Sequence, residues 1–125
     1  MKQPSVAVVG ASRDRSKFGN KCVRAFVHQG FRVYPVNPHT ATIEELPTFS
    51  TLEDLPRVPD RISIYLPPHK TRELIPALAL HPEVEVWFNP GSADRETLDQ
   101  ARAAGIDVRD GCSIVDIGLS HGQFP

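Results

Sequence analysis

The sequence predicts an α/β fold, an open and mainly parallel sheet of five strands with helices on both faces. Its apolar runs are short, rich in Val and Ile, and mostly unbroken by polar residues, as in strands covered on both faces. Stretches with helical spacing separate most of these runs, and strands that alternate with helices form parallel sheets through right-handed crossovers. The 125 residues, 40% hydrophobic and 23% charged, suit one ordered domain spanning residues 1–125.

Five strands and three helices follow in order along the chain. The strands are predicted over residues 6–9, 32–36, 62–66, 84–88 and 106–108. The helices are predicted over residues 20–29, within residues 71–80, and over residues 93–104. Gly30 ends the first helix, Pro76 makes the start of the second ambiguous, and Ser92 is the expected N-cap of the third. Between residues 37 and 60 the pattern weakens and predicts only a short edge strand or a turn of helix.

Charge and cysteine content exclude several classes of protein. The net charge of -1 disfavours a surface built for nucleic acid, and no apolar run is long enough to span a membrane. The two cysteines, Cys22 and Cys112, form no metal-binding or redox motif. These features lead us to expect a cytoplasmic, reduced domain without a metal. No histidine is paired with a nucleophile, although His39 and His69 follow strands near the expected cleft.

The first strand ends at a turn that departs from the dinucleotide fingerprint GxGxxG. In the stretch "VVGASRDRSKFGNK", Gly10 occupies the first glycine position, whereas Ser12 and Arg15 occupy the other two. The next glycine is Gly19, so the following helix must start later and leave a longer loop. A serine hydroxyl can donate to a phosphate oxygen, and the N–H groups at a helix start attract anions. We therefore expect a phosphate-binding loop over residues 10–19.

The charge of this loop supports the same interpretation. Five basic residues fall within twelve positions, opposed only by Asp14; they are Arg13, Arg15, Lys17, Lys21 and Arg24. The alternative is a solvated basic helix start with no ligand. NAD is disfavoured because the second strand ends in Val36, Asn37 and Pro38, without the acidic residue that holds the adenosine ribose. NADP stays open, because a nearby Arg or Lys can meet its 2′-phosphate.

Five segments together resemble one family. In order and spacing, "VAVVGAS", "GFRVYPVNP", "YLPP", "WFNPG" and "AGIDVRDGC" are similar to the small CoA-binding proteins, which are related to the CoA-binding N-terminal domain of the succinyl-CoA synthetase alpha subunit. The resemblance spans the chain from Val6 to about Cys112. It implies a single Rossmann-like domain with sheet order 3-2-1-4-5 that binds coenzyme A. The domain that carries the phosphorylated histidine of the related synthetases is absent from this sequence.

The resemblance also assigns residues to the parts of coenzyme A. It places the phosphates against Gly10, Ser12 and Arg13, in a loop that also contains Ala11, Lys17 and Gly19. It places Val36, Asn37 and Pro38 beside the adenosine. The pantetheine would follow Tyr65, Leu66, Pro67 and Pro68, and its thiol end would lie near Asn89, Pro90 and Gly91.

These observations predict a protein that binds coenzyme A or an acyl-CoA and is not an enzyme. The alternative is an NADP-binding enzyme or redox sensor on the same fold. We expect neither nucleic acid nor a membrane as partner, whereas a protein partner or a homo-oligomer stays open. Cys112 near the thiol end could form a mixed disulfide with the CoA thiol, but a half-buried apolar role is favoured.

Overall fold

Five parallel strands form the central sheet in the computed structural model, which describes residues 3–125. They are β1 (Ser5–Val9), β2 (Arg32–Val36), β5 (Arg61–Ile64), β6 (Glu85–Phe88) and β7 (Asp107–Asp110). Two short strands, β3 (Thr42–Ile43) and β4 (Leu46–Pro47), form an antiparallel ribbon that follows β2 in the chain. Each predicted strand overlaps an observed one, and the α/β class is confirmed.

The order of the strands differs from the predicted one. The sheet runs β2-β1-β5-β6-β7, which is 2-1-3-4-5 when only its own strands are numbered, so the order 3-2-1-4-5 is wrong. The third sheet strand pairs with β1, because another segment meets the outer edge of β2. There Phe49 bridges Val36, and the N–H of Asn37 donates to the Phe49 carbonyl at 2.9 Å. This weakly patterned segment supplies a single bridge instead of a full strand.

Four helices cover the two faces of the sheet. They are α1 (Phe18–His28), α2 (Pro68–Leu78), α3 (Arg95–Ala103) and the short α4 (Ser113–Asp116). Alternate residues of β1 point to opposite faces, so Val6 and Val8 pack with α1 and α4 whereas Ala7 and Val9 pack with α2 and α3. None of the described helices is long and apolar enough to cross a membrane.

Two helix starts differ from the sequence prediction. Helix α2 begins at Pro68, where a proline needs no hydrogen-bond acceptor, and it also accommodates Pro76 on its exposed face. Helix α3 is capped by Asp94, whose Oδ1 accepts from the N–H of Thr97 at 2.9 Å, so the predicted N-cap Ser92 is wrong. Ser92 lies in the preceding turn, where its N–H donates to the Asn89 carbonyl at 2.9 Å.

The topology places a crevice beside the end of β1. The chain passes from β1 to β2 on one side, and the next sheet strand, β5, lies on the other side of β1, so the strand order reverses at β1. In open parallel sheets, ligands bind at such a point, beyond the carboxyl ends of the strands. The loops that follow β1, β2, β5 and β6 therefore surround the region where a ligand is expected.

Candidate functional site

Two adjoining cavities occupy this crevice. The larger has a volume of about 630 Å3 and the smaller about 470 Å3. Both are lined by Gly10, Lys17, Tyr65 and Leu66, which therefore form their junction. A ligand that passes this junction would contact the loop after β1 midway along its length.

Most of the sequence-predicted site residues line one or both cavities. The larger cavity is lined by Gly10, Ala11, Ser12, Lys17, Val36, Asn37, Pro38, Tyr65 and Leu66. The smaller is lined by Gly10, Lys17, Gly19, Tyr65, Leu66, Pro67, Pro90 and Gly91. Three predicted residues line neither: the exposed Arg13, Pro68 at the start of α2, and the buried Asn89. A role for these three in ligand binding stays a prediction.

The side chain of Asn89 faces the interior of the protein. Its Nδ2 donates to Ser63 Oγ at 2.8 Å and to the Ile64 carbonyl at 3.0 Å, while its Oδ1 accepts from the N–H of Ser113 at 2.9 Å. Asn89 is only 1% exposed. The side chain therefore ties the ends of β5 and β6 to α4, and it holds the neighbouring Pro90 and Gly91 at the smaller cavity.

Several lining residues were missed by the sequence prediction. Residues 50–53 form one wall of the larger cavity, and three residues of one face of α2, namely Glu73, Leu74 and Ala77, form another. Together with Lys70, these α2 residues follow helical spacing, which was the signal that could have revealed them. Residues 50–53 gave no such signal, because their position depends on the contact of Phe49 with β2.

Two glycines make close backbone contacts at the junction. Gly10 has a φ of +84°, and a Cβ atom added to it would lie 2.2 Å from the Tyr65 carbonyl oxygen. A Cβ added to Gly19 would lie 2.3 Å from the Gly10 carbonyl oxygen. Gly10 thus permits the tight turn, and Gly19 permits α1 to approach the strand. Gly19 performs the packing task of the last glycine of GxGxxG from a later position in the chain.

Side chains donate hydrogen bonds to three carbonyl groups of the loop between these glycines. The Ala11 carbonyl accepts from Asn37 Nδ2 at 2.8 Å, the Ser12 carbonyl from Asn20 Nδ2 at 2.9 Å, and the Arg15 carbonyl from Arg24 Nη2 at 2.9 Å. By contrast, the N–H groups of residues 11, 12, 13 and 15 donate to no acceptor within residues 3–125. A loop with four unpaired N–H donors, and with several of its carbonyls already occupied, is suited to bind an anion.

The hydroxyl of Ser12 fits the same chemistry. Its oxygen accepts a hydrogen bond from the N–H of Asp14 at 3.0 Å, so its own hydrogen stays available to donate. Asp14 in turn accepts from Ser16, and this hydrogen bond lowers the pKa of the Asp14 carboxyl. Asp14 is therefore ionised at neutral pH and fixes the turn of the loop.

The basic residues of the loop have different partners. Arg15 lies 3.4 Å from Glu44, and Arg24 is engaged with backbone carbonyls. Lys17 lines both cavities and forms no ion pair within the described residues 3–125. Lys70 lines the larger cavity, which also contains the carboxylates of Glu53 and Glu73. Positive charge is therefore concentrated at the junction, and the far part of the larger cavity is mixed in charge.

The remaining candidates for chemistry are mostly outside the cavities. His39 lines the larger cavity, whereas His69 and Cys112 line neither. Burial raises the pKa of the Cys22 thiol to about 11 and raises that of the Tyr65 hydroxyl well above its ordinary value, so both groups are protonated at neutral pH. Among residues 3–125, no cluster of three or more potential metal ligands occurs.

Comparison with known sequences agrees with this geometry. The sequence model of a family described as "CoA binding domain" matches residues 4–118. The acetate–CoA ligase (ADP-forming) II of Archaeoglobus fulgidus is 40% identical over 65 residues, which cover 50% of this chain and 10% of the ligase. The chain thus matches about a tenth of the length of this curated relative.

Solved structures include both small proteins and parts of larger enzymes with this fold. A conserved hypothetical protein from Pyrococcus furiosus is 27% identical, with a TM-score of 0.80 over 92% of this chain and 99% of that one. A Thermus thermophilus protein is 27% identical, with a TM-score of 0.81 over 98% and 91%. The dinucleotide-forming acetyl-coenzyme A synthetase 1 of Ca. Korarchaeum cryptofilum is 26% identical, with a TM-score of 0.72 over 86% of this chain and 26% of the synthetase.

Three alanine variants distinguish the two reasons for glycine at these positions, a positive φ and a close backbone contact. Gly30→Ala should cost about 1–2 kcal/mol, because Gly30 shares the φ of +84° but has no atom within 4 Å of an added Cβ. Gly10→Ala should cost about 1–3 kcal/mol more, since the added methyl group also displaces the Tyr65 backbone. Gly19→Ala should show the packing cost without the strain of a positive φ. Urea denaturation measures the free energy of unfolding of all three variants. Equal losses of this free energy in Gly10→Ala and Gly30→Ala would contradict the close contact at Gly10.

Proposed function

The chain belongs to the CoA-binding domain family, and on this premise we propose that it binds coenzyme A or an acyl-CoA without chemically transforming it. The main support is the loop after β1. Ala11 and Ser12, whose N–H groups are unpaired within residues 3–125, line the larger cavity together with the Ser12 hydroxyl, and Lys17 lies at its junction with the smaller cavity. Coenzyme A has a diphosphate between its adenosine and its pantetheine. A site with its anion-binding loop midway between two cavities matches this arrangement.

The proposed orientation follows from the lining of the cavities. The diphosphate lies against residues 10–17, and the adenosine lies in the larger cavity beside Val36, Asn37 and Pro38. The pantetheine passes Tyr65 and Leu66 into the smaller cavity, whose remaining walls include Pro67, Pro90 and Gly91. The pantetheine arm carries no charge, so a cavity whose walls are mostly uncharged suits it. The thiol end then lies toward the loop after β6.

NAD fits this site less well. Dinucleotide enzymes hold the adenosine ribose with an acidic side chain at the end of the second strand. Here Asn37 occupies that place, and its amide already bonds to the Ala11 carbonyl at 2.8 Å and to the N–H of His39 at 2.7 Å. The carboxyl group that a ribose diol requires is therefore missing from this strand end.

The absence of turnover is part of the proposal. Among the described residues, His39 is the one histidine that lines either cavity, and its ring forms no hydrogen bond or ion pair within residues 3–125. We therefore assign to this chain the binding of the coenzyme, in the cytoplasm, either alone or beside another protein.

Selective binding is the first test of this function. Calorimetry should give micromolar affinity or better for coenzyme A and much weaker binding of NADH and NADPH, because both lack the pantetheine arm. Mass spectrometry of small molecules released from the purified protein provides an independent measurement. Recovery of NADP, or NADPH binding as tight as that of coenzyme A, would overturn the proposal.

Lys17 should be the principal side-chain contact to the phosphates. A charge-assisted hydrogen bond contributes about 1.5–3 kcal/mol. Lys17→Ala should therefore weaken the binding of coenzyme A about ten- to a hundredfold. Binding of pantetheine, which has no nucleotide, should not change. Lys21→Ala is the matched control, because it removes an equal charge from α1 outside both cavities. Equal effects of the two variants would show that only the overall charge matters.

The chain by itself should form no thioester. Incubation with ATP, acetate and coenzyme A, followed by chromatographic assay for acetyl-CoA, should give the level found without protein. A positive control with a complete acetate–CoA ligase establishes the sensitivity of the assay. Formation of acetyl-CoA that scales with protein concentration would show that the chain is an enzyme.

A further inference from the structure

The turn between β3 and β4 is strained. Its two central residues, Glu44 and Glu45, have φ values of +50° and +67°. Residues with side chains rarely adopt this left-handed conformation, and ribbons of this type normally place Asn, Asp or Gly there. Such strain persists where the surrounding structure enforces it, and it often marks a functional site.

Glu44 uses this conformation to reach the loop after β1. Its Oε1 lies 3.4 Å from Arg15 Nη2, and its Oε2 accepts from Asn20 Nδ2 at 3.1 Å. The same Nδ2 of Asn20 donates to the Ser12 carbonyl at 2.9 Å. Glu44 therefore contacts the loop directly through Arg15 and indirectly through Asn20. The adjacent Glu45 is exposed and forms no side-chain hydrogen bond or ion pair within residues 3–125.

Arg24 completes the same network from α1. Its Nε donates to Asn20 Oδ1 at 2.7 Å, and its Nη2 donates to the Arg15 carbonyl at 2.9 Å. The guanidinium also donates to the carbonyls of Phe124 and Pro125, at 3.0 Å and 3.1 Å. Asn20 is fully buried, so its amide is held in a single orientation between Glu44 and Arg24.

We propose that Glu44, Asn20 and Arg24 form a brace that holds the loop of residues 11–17 in the shape that presents its N–H groups to the diphosphate. The inference rests on the proposed function and names positioning residues, which act without touching the ligand. The brace occupies the carbonyls of Ser12 and Arg15, so these acceptors cannot turn toward the phosphate oxygens. A loop that is ordered before binding also avoids an entropic cost when the ligand arrives.

Electrostatics alone predicts that the Glu44 carboxylate weakens ligand binding, whereas the brace predicts that it strengthens it. A carboxylate close to an anion-binding loop repels phosphate, so its removal should strengthen binding if charge were its only influence. The brace predicts weaker binding after removal, because the loop loses the contacts that orient it. The sign of the change therefore distinguishes the two explanations.

Two glycine variants provide a matched comparison. Glu44→Gly and Glu45→Gly each remove one negative charge and each relax one left-handed residue, but only the first removes the brace. We expect Glu44→Gly to weaken the binding of coenzyme A about tenfold and to leave the affinity for pantetheine unchanged. Glu45→Gly should bind both ligands like wild type and should melt at or above the wild-type temperature. Equal affinities of the two variants for coenzyme A, or tighter binding by Glu44→Gly, would overturn the proposal.

A readout without ligand distinguishes this proposal from the proposed function. Amide hydrogen exchange of Asp14, Ser16 and Lys17, whose N–H groups are bonded within the loop, should be faster in Glu44→Gly than in Glu45→Gly, even if coenzyme A proves not to be the ligand. Arg24→Lys is a second variant, since it keeps the charge but cannot form the forked contacts. Arg24→Lys should weaken the binding of coenzyme A without flattening the salt dependence of binding. Lys17→Ala should flatten that salt dependence. Unchanged exchange in both brace variants would show that the loop is ordered without the brace.

Discussion

The contact between the backbone at Gly10 and the carbonyl of Tyr65 is the constraint on which the site depends. Only a residue without a side chain allows the end of β1 to lie this close to the end of β5, since a Cβ would fall 2.2 Å from the carbonyl oxygen. The carbonyl of the same glycine packs against Gly19 at the start of α1, where an added Cβ would clash with it. Strand, loop and helix are therefore positioned by backbone contacts, and the two cavities meet at this point.

The loop between the two glycines is long, and its stability comes from side chains. It is held by Asn37 from the end of β2, by Asn20 and Arg24 from α1, and by Asp14 within the loop itself. Because these groups bond mainly to loop carbonyls, the N–H groups of residues 11, 12, 13 and 15 are left for a ligand. Amide side chains supply most of the donors, and they do so without adding charge to the site. At the junction of the cavities, the positive charge is then that of Lys17.

The sequence predicted the features that depend on local pattern. Runs of Val and Ile gave the strands, and the rule for parallel sheets brought Gly10, Asn37, Leu66 and Pro90 to one edge. The features that depend on distant contacts were not predictable in this way. Phe49 meets β2 through a single bridge, which changed the strand order and formed the wall of residues 50–53. No local rule distinguishes an Asn89 that faces the cleft from one that bonds to β5 and α4.

The two missing glycines of the fingerprint can now be understood physically. A GxGxxG turn is short, and its glycines let the backbone approach a pyrophosphate with little support from other elements. In this chain Ser12 and Arg15 occupy those positions, and the helix begins later, so the loop has more residues to order. Side chains at these positions contribute a hydroxyl and an ion pair, but they require contacts that hold the loop still. Glu44 provides such a contact from a turn whose conformation is unfavourable for glutamate, which links the strained ribbon to the loop it supports.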